Sequence, residues 1–160
     1  MKKPEALSTL IKRARACDVC KDHLPLGPRP VLQAGKSAKL LIVGQAPGIR
    51  VHKSGIPWSD ASGERLREWL GLSRDEFYDE NLVAILPMGF CYPGTGTRGD
   101  LPPRKECFDL WHEKLTAAMP RLELTLLIGG YALEAYLKSR RKNSLTETVR
   151  AWETYLPRYL

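Results

Sequence analysis

No stretch of about eighteen consecutive apolar residues occurs in this chain, so it holds no helix able to span a bilayer. The opening residues, Met1-Lys2-Lys3-Pro4-Glu5-Ala6, are charged but lack an apolar core behind them and a small-residue cleavage site. That argues against a secretory signal and makes the cytoplasm the expected compartment, with no membrane partner. No glycine-rich loop precedes a Lys-Ser/Thr pair, which counts against a nucleotide-using α/β protein stapled by zinc. Internal repeats, low-complexity tracts and composition breaks are also missing, so residues 1–160 are expected to form a single domain. Acids are the scarcer charge, 18 against 25 Lys and Arg, and the net charge of +7 favours a polyanionic partner through phosphate contacts. Cysteine is scarce as well: Cys17, Cys20, Cys91 and Cys107 are the whole set. In a reducing compartment these point to metal or to plain burial rather than to disulfides.

What is present is organised around Lys39-Leu40-Leu41-Ile42-Val43-Gly44-Gln45-Ala46-Pro47-Gly48. A short unbroken apolar run closed by turn residues reads as a strand buried on both faces. The loop after it sits at the strand's carboxyl end, where open α/β sheets place their ligands, and its small residues let a ligand approach the backbone. Upstream, Ala6, Leu7, Leu10, Ile11 and Ala14 have helical spacing from Pro4 to Ala16, with a basic outer face. The proline-rich stretch from Leu24 to Pro30 reads as loop, and the loop after the first strand is expected to continue to about Asp60.

Asp60 or Ser62 can cap a helix that carries Leu66, Trp69 and Leu70 inward and ends at Gly71. Ser73-Arg74-Asp75-Glu76 is a capping-box pattern for a second short helix. Strands are expected over Asn81–Leu86 and Leu122–Ile128. A long Gly/Pro-rich loop from Cys91 leads to a helix over Pro103–Met119 with Cys107, Leu110, Trp111, Leu115 and Ala118 on one side. Another helix starts near Tyr131, and a last one over Thr146–Tyr155 turns Val149 and Trp152 inward. Apolar strands alternating with helices predict an α/β three-layer sandwich, a central parallel sheet with helices on both faces. The residues after Tyr155 look like the approach to a further strand.

The Cys-x-x-Cys of Cys17 and Cys20 can bite one centre, and Cys91 and Cys107 bracket a loop long enough to wrap a bulky object. Four thiolates suit tetrahedral zinc or a cubane iron–sulfur cluster; the competing reading is a core Cys107 and a chance pair.

Taken together these features resemble the uracil-DNA glycosylases, specifically the iron–sulfur type called family four and its small glycosylase-like relatives. The resemblance rests on Cys17-x-x-Cys20 after a leading helix, on Leu41 to Gly48, and on Ser54-Gly55-Ile56-Pro57-Trp58 with Ser62-Gly63. Cys91 and Cys107 at the family's separation, and Leu127-Ile128-Gly129-Gly130-Tyr131-Ala132, complete it. It implies a four-stranded parallel sheet, whose last strand is expected either to be very short or to lie beyond Leu160. It also implies a structural four-iron cluster on Cys17, Cys20, Cys91 and Cys107, and hydrolysis of the bond between a damaged base and deoxyribose. The partner would be DNA, single-stranded or mismatched, bound by a monomer that flips the base out of the stack.

Within that resemblance, Gly44, Gln45, Ala46, Pro47 and Gly48 line the base pocket and Trp58 stands where an aromatic stacks on uracil. Gln45 replaces the glutamate common in iron–sulfur members, Ile49 to His52 supply no acid, and Pro87 falls where many members carry an asparagine. The family's His-Pro-Ser run would come just beyond Leu160. Asp60, the first acid after Gly48, is read as a replacement water-positioning group, with Gln45 as its catalytic companion; its competing role is a helix N-cap. His112 is read as an ordinary packing or surface residue, and Asp100 and Glu106 as caps for Arg104's helix. The alternative function is a catalytically degenerate base- or nucleic-acid-binding protein with the same fold.

Overall fold

Leu40–Val43 forms β1, the central strand of a parallel sheet in the order β2-β1-β5, with β2 at Val83–Ile85 and β5 at Leu124–Leu127. The computed structural model describes residues 5–160, so the expected helix start at Pro4 lies outside the described residues. In the sheet Leu41 pairs with Ala84 on one side and with Thr125 on the other. Because side chains alternate along a strand, β1 feeds two cores. Leu41 and Val43 pack with Leu10 and Ala14 of α1 (Leu7–Arg15), Leu115 of α5 (Glu113–Ala117), and Ala132, Leu133 and Leu137 of α6 (Gly130–Leu137). Ile42, with Val83 and Ile85, packs on the opposite face against Leu66 of α3 (Ala61–Leu70) and Phe77 of α4 (Arg74–Tyr78). Helices cover both faces, as the alternation of strands and helices predicts.

Both sheet edges are closed by short bridges. On the β2 edge, Gln33 pairs antiparallel with Ile85, and its buried side-chain amide donates to the carbonyls of Phe77 and Val83 at 3.0 and 2.7 Å. On the β5 edge, Tyr159 bridges Thr125 in parallel, and Leu127 N–H donates to the Leu160 carbonyl at 2.7 Å. The residues after Tyr155 thus do run as a further strand begins. Among the described residues no helix is long and apolar enough to cross a membrane.

Three local expectations are corrected. Trp69 does not point inward: it is 76% exposed. The inward stripe of α3 is Gly63, Leu66, Arg67 and Leu70, the i, i+3, i+4, i+7 set, and Trp69 lies off it. Arg67 belongs to the stripe because its stem is buried and its guanidinium lies 5.4 Å from the Phe77 ring centre, a cation–π contact. Val149 and Trp152 are also exposed. The last helix, α7, is only Leu145–Arg150, followed by a 3₁₀ turn, and its buried residues are Thr148 and Tyr155. Thr148 turns inward because its hydroxyl donates to the Ser144 carbonyl and accepts from Lys142 N–H.

The predicted Pro103–Met119 helix is interrupted by a π turn over Phe108–His112 ahead of α5. The wider turn buries Trp111 and His112 side by side. His112 Nε2 lies 2.9 Å from the Pro87 carbonyl, so that nitrogen carries the proton and donates. Nδ1 then accepts from the Tyr136 hydroxyl at 2.8 Å. His112 is therefore a packing residue that ties the end of β2 to two helices.

Burial lowers the His112 pKa to about 4, and burial first, then the Arg29 charge, lowers His52. Unfolded histidine takes a proton below about pH 6.5 while the folded His112 stays neutral. Stability should be full above about pH 6.5 and decline as pH falls toward 4, by on the order of 3 kcal/mol from His112. Urea titrations across this window should show the slope, and His112→Gln should flatten it while lowering stability at neutral pH.

Candidate active site and cysteine cavity

The carboxyl ends of β1, β2 and β5 open into a cavity of about 880 Å³ lined by Gly44 to Gly48, Pro87, and Ile128 with Gly129. Its loop is held to the sheet by backbone bonds: Met88 N–H donates to the Gly44 carbonyl and Gly89 N–H to the Gln45 carbonyl, at 2.9 and 3.0 Å. The expected irregular loop to Asp60 contains a helix, α2 (Ile49–Ser54), which starts at Gly48 and closes on Gly55 in the left-handed region. The sequence hid it because only Val51 and His52 are buried and no side chain caps its start.

Trp58 forms the wall opposite. Its backbone has φ 55, a conformation that costs a non-glycine residue about 1–2 kcal/mol and that clusters at functional sites. Two glycines and an arginine hold it there. A methyl on Gly44 would lie 2.8 Å from the indole, and one on Gly63 would lie 1.7 Å from the Trp58 carbonyl oxygen. Arg67 donates to that same carbonyl at 3.4 Å. The half-buried indole thus presents against the glycine loop, with Ile42, Leu66 and Ile85 behind it.

All seven pocket residues named from sequence, Gly44 to Gly48, Trp58 and Asp60, line this one cavity. Asp60 is the N-cap of α3: Oδ1 accepts from Gly63 N–H at 2.9 Å and from the Ser62 hydroxyl at 2.6 Å. Asp100 was expected to cap Arg104's helix, but it does not. It sits on β4 (Gly99–Asp100) of a small hairpin with β3 (Thr95–Gly96) and lines the same cavity. Trp69 and Arg65 stand at its rim from α3. The signal for Asp100 in the sequence was its hairpin, Thr95-Gly96 and Gly99-Asp100 around a two-residue turn, which is visible only once the loop is read for pairing.

The four cysteines come from three separate segments and line a second, small cavity with Phe90 and Arg104. All are free thiols, and only Cys17 is more than slightly exposed. Burial raises Cys20, and pushes Cys91 up to about 11 and Cys107 up to about 12, so as bare thiols these three stay protonated at neutral pH. One donor already points at a sulfur, Phe90 N–H at 3.4 Å from Cys107 Sγ, and Arg104 lines the same cavity. Glu106 pairs with Arg104, orienting it. Among the described residues, no three His, Cys, Asp or Glu side chains converge closely enough for a single metal ion.

Gly63→Ala should destabilise the protein by about 3 kcal/mol or more, because the clash is with backbone that cannot yield without unseating Trp58. Gly44→Ala should cost less, since the indole can swing away, but should shift the tryptophan fluorescence to the red. Chemical denaturation and emission spectra distinguish the two outcomes.

Residues 32–160 match the family model described as Uracil DNA glycosylase superfamily. The match takes in the glycine loop, Trp58, Asp60, Asp100, Cys91 and Cys107, while Cys17 and Cys20 precede it. With a parallel sheet, a cavity at its carboxyl ends and a match over most of its length, the chain belongs to the uracil DNA glycosylase superfamily.

Proposed function

We propose that the protein is a DNA base-excision glycosylase that hydrolyses the N-glycosidic bond of uracil or another damaged base. What carries this reading is the convergence of Gly44–Gly48 and Trp58 on one cavity at the sheet's carboxyl end, in a chain of this superfamily. A flipped base slides between the glycine loop, whose small residues let it approach the backbone, and the indole face, which stacks on it. Gln45 supplies an amide able to donate to a base carbonyl and accept from a ring N–H. Asp60, the water-positioning candidate, has Oδ1 engaged in capping α3 and Oδ2 left for that task. The net charge of +7 supports DNA as the partner, and the exposed rim supports single-stranded or mismatched sites, whose bases unstack most readily. The acting unit is a monomer in the cytoplasm, whose reducing conditions keep the four cysteines out of disulfides.

The same proposal assigns a four-iron cluster to Cys17, Cys20, Cys91 and Cys107. The donor set fits: four thiols, three of them buried, line one small cavity, a set able to hold an iron–sulfur cluster, with tetrahedral zinc as the alternative. Thiols held protonated by burial become ligands when a bound metal supplies the opposing charge. The Phe90 N–H at Cys107 is the kind of contact that stabilises a thiolate ligand, and the Arg104 guanidinium on the same cavity adds positive charge. When bound, the cluster ties α1 to the loop that follows β2.

Anaerobically purified protein should be brown and carry about four iron per chain, and Cys107→Ser should lower that content; stoichiometric zinc without iron would overturn the cluster. Incubated with a uracil-containing single-stranded oligonucleotide, the protein should release uracil and leave an alkali-labile site. Trp58→Ala should weaken oligonucleotide binding by about ten- to a hundredfold at fixed salt. Tight, Trp58-dependent binding with no uracil release would favour the degenerate binding protein instead.

A further inference from the structure

The acid expected to act in the cavity, Asp60, is heavily engaged. Two donors hold Oδ1, and the positive end of α3 offsets its charge. Asp100 stands differently. It reaches the cavity from the β3–β4 hairpin, and a methyl on Gly48 would lie 3.6 Å from its Oδ2, so that oxygen hangs over the end of the glycine loop. Its Oδ1 accepts from the Thr95 hydroxyl at 2.9 Å, and Thr95 in turn shares a hydrogen bond with the Tyr92 hydroxyl. Tyr92 is buried and follows Cys91 directly. Leu101, next to Asp100, closes the hairpin by donating its N–H to the Gly94 carbonyl at 2.8 Å and packing on Gly94 and Gly96. Both ends of this segment therefore lead into the cysteine cavity, through Cys91 and Cys107.

We propose that Asp100 is a catalytic carboxylate of this site, lining the same cavity as Trp58 and facing the deoxyribose of the flipped nucleotide. The inference rests on the glycosylase reading and adds a residue to it. In the step, the C1′–N bond breaks with its electron pair leaving on the base, while positive charge builds on the sugar next to Oδ2. The oxygen of a water molecule bonds to C1′, and its proton passes to Asp100 and then to solvent. The departing base takes a proton from water. Thr95 and Tyr92 act as positioning residues that fix the carboxylate's rotation.

Two measurements test this. Uracil release by Asp100→Asn should fall about a hundredfold or more in kcat with KM within about twofold, and the acid limb of the wild-type pH–rate profile should disappear. Thr95→Val should give a smaller loss with the acid limb retained. Independently of turnover, binding is compared for two single-stranded oligonucleotides, one carrying a cationic pyrrolidine at the abasic position and one a neutral tetrahydrofuran. Wild type should prefer the cation by about tenfold or more, and Asp100→Asn should erase the preference, while the remote charge-matched variant Asp75→Asn keeps it. An unchanged preference in Asp100→Asn, its loss in Asp60→Asn instead, or no preference in wild type would overturn the assignment. A wild type that prefers the cation but releases no uracil would count against the glycosylase reading alone. A wild type that binds neither oligonucleotide removes both.

Discussion

β1 has no face turned to water, and much of the molecule follows from that constraint. A strand buried on both sides must satisfy its backbone on both edges, which it does through β2 and β5. It must also fill two cores with alternate side chains, Leu41 and Val43 to one, Ile42 to the other. The chain leaves such a strand only at its ends, and at the carboxyl end it leaves through Gly44 and Gln45. Their carbonyls are still bonded to Met88 and Gly89, so the glycine loop inherits the order of the sheet. A loop built this way is preorganised by the backbone hydrogen bonds of the sheet rather than by its own side chains.

The fold was legible because the strands are largely apolar and the helices have clear starts and stops, with the capping box at Ser73 and left-handed Gly71 as examples. What escaped has physical causes. Trp69 looked like core because it is large and apolar, yet the stripe of α3 is decided by Gly63 and Arg67, whose burial depends on partners distant in sequence. Val149 and Trp152 were misplaced because a hydroxyl, Thr148, took the inward position. Gln33 left no periodic signal, since a single bridge is made by its backbone and an amide, not by a hydrophobic pattern.

The site divides in the same way. Gly44 to Gly48 could be named because small residues after a buried strand mark a loop a ligand can approach, whereas Trp58 could be named only from the family resemblance; all of them line one cavity. Asp60 could be named too, though its cap is as visible as any chemistry. Asp100 could not be placed, because proximity between a hairpin and a loop fifty residues earlier is a product of the tertiary fold. The four cysteines, grouped in the sequence by their spacing and by the resemblance, line one small cavity in the fold.

The π turn at Phe108–His112 joins two tasks that a regular helix would set against each other. A regular α-helix advances each residue by a fixed angle, so the direction of Cys107 would dictate which residues of α5 meet the sheet. The wider turn works as a phase adjuster between them. Across it, Cys107 lines the cysteine cavity while Leu115 meets the sheet in the core that both residues share.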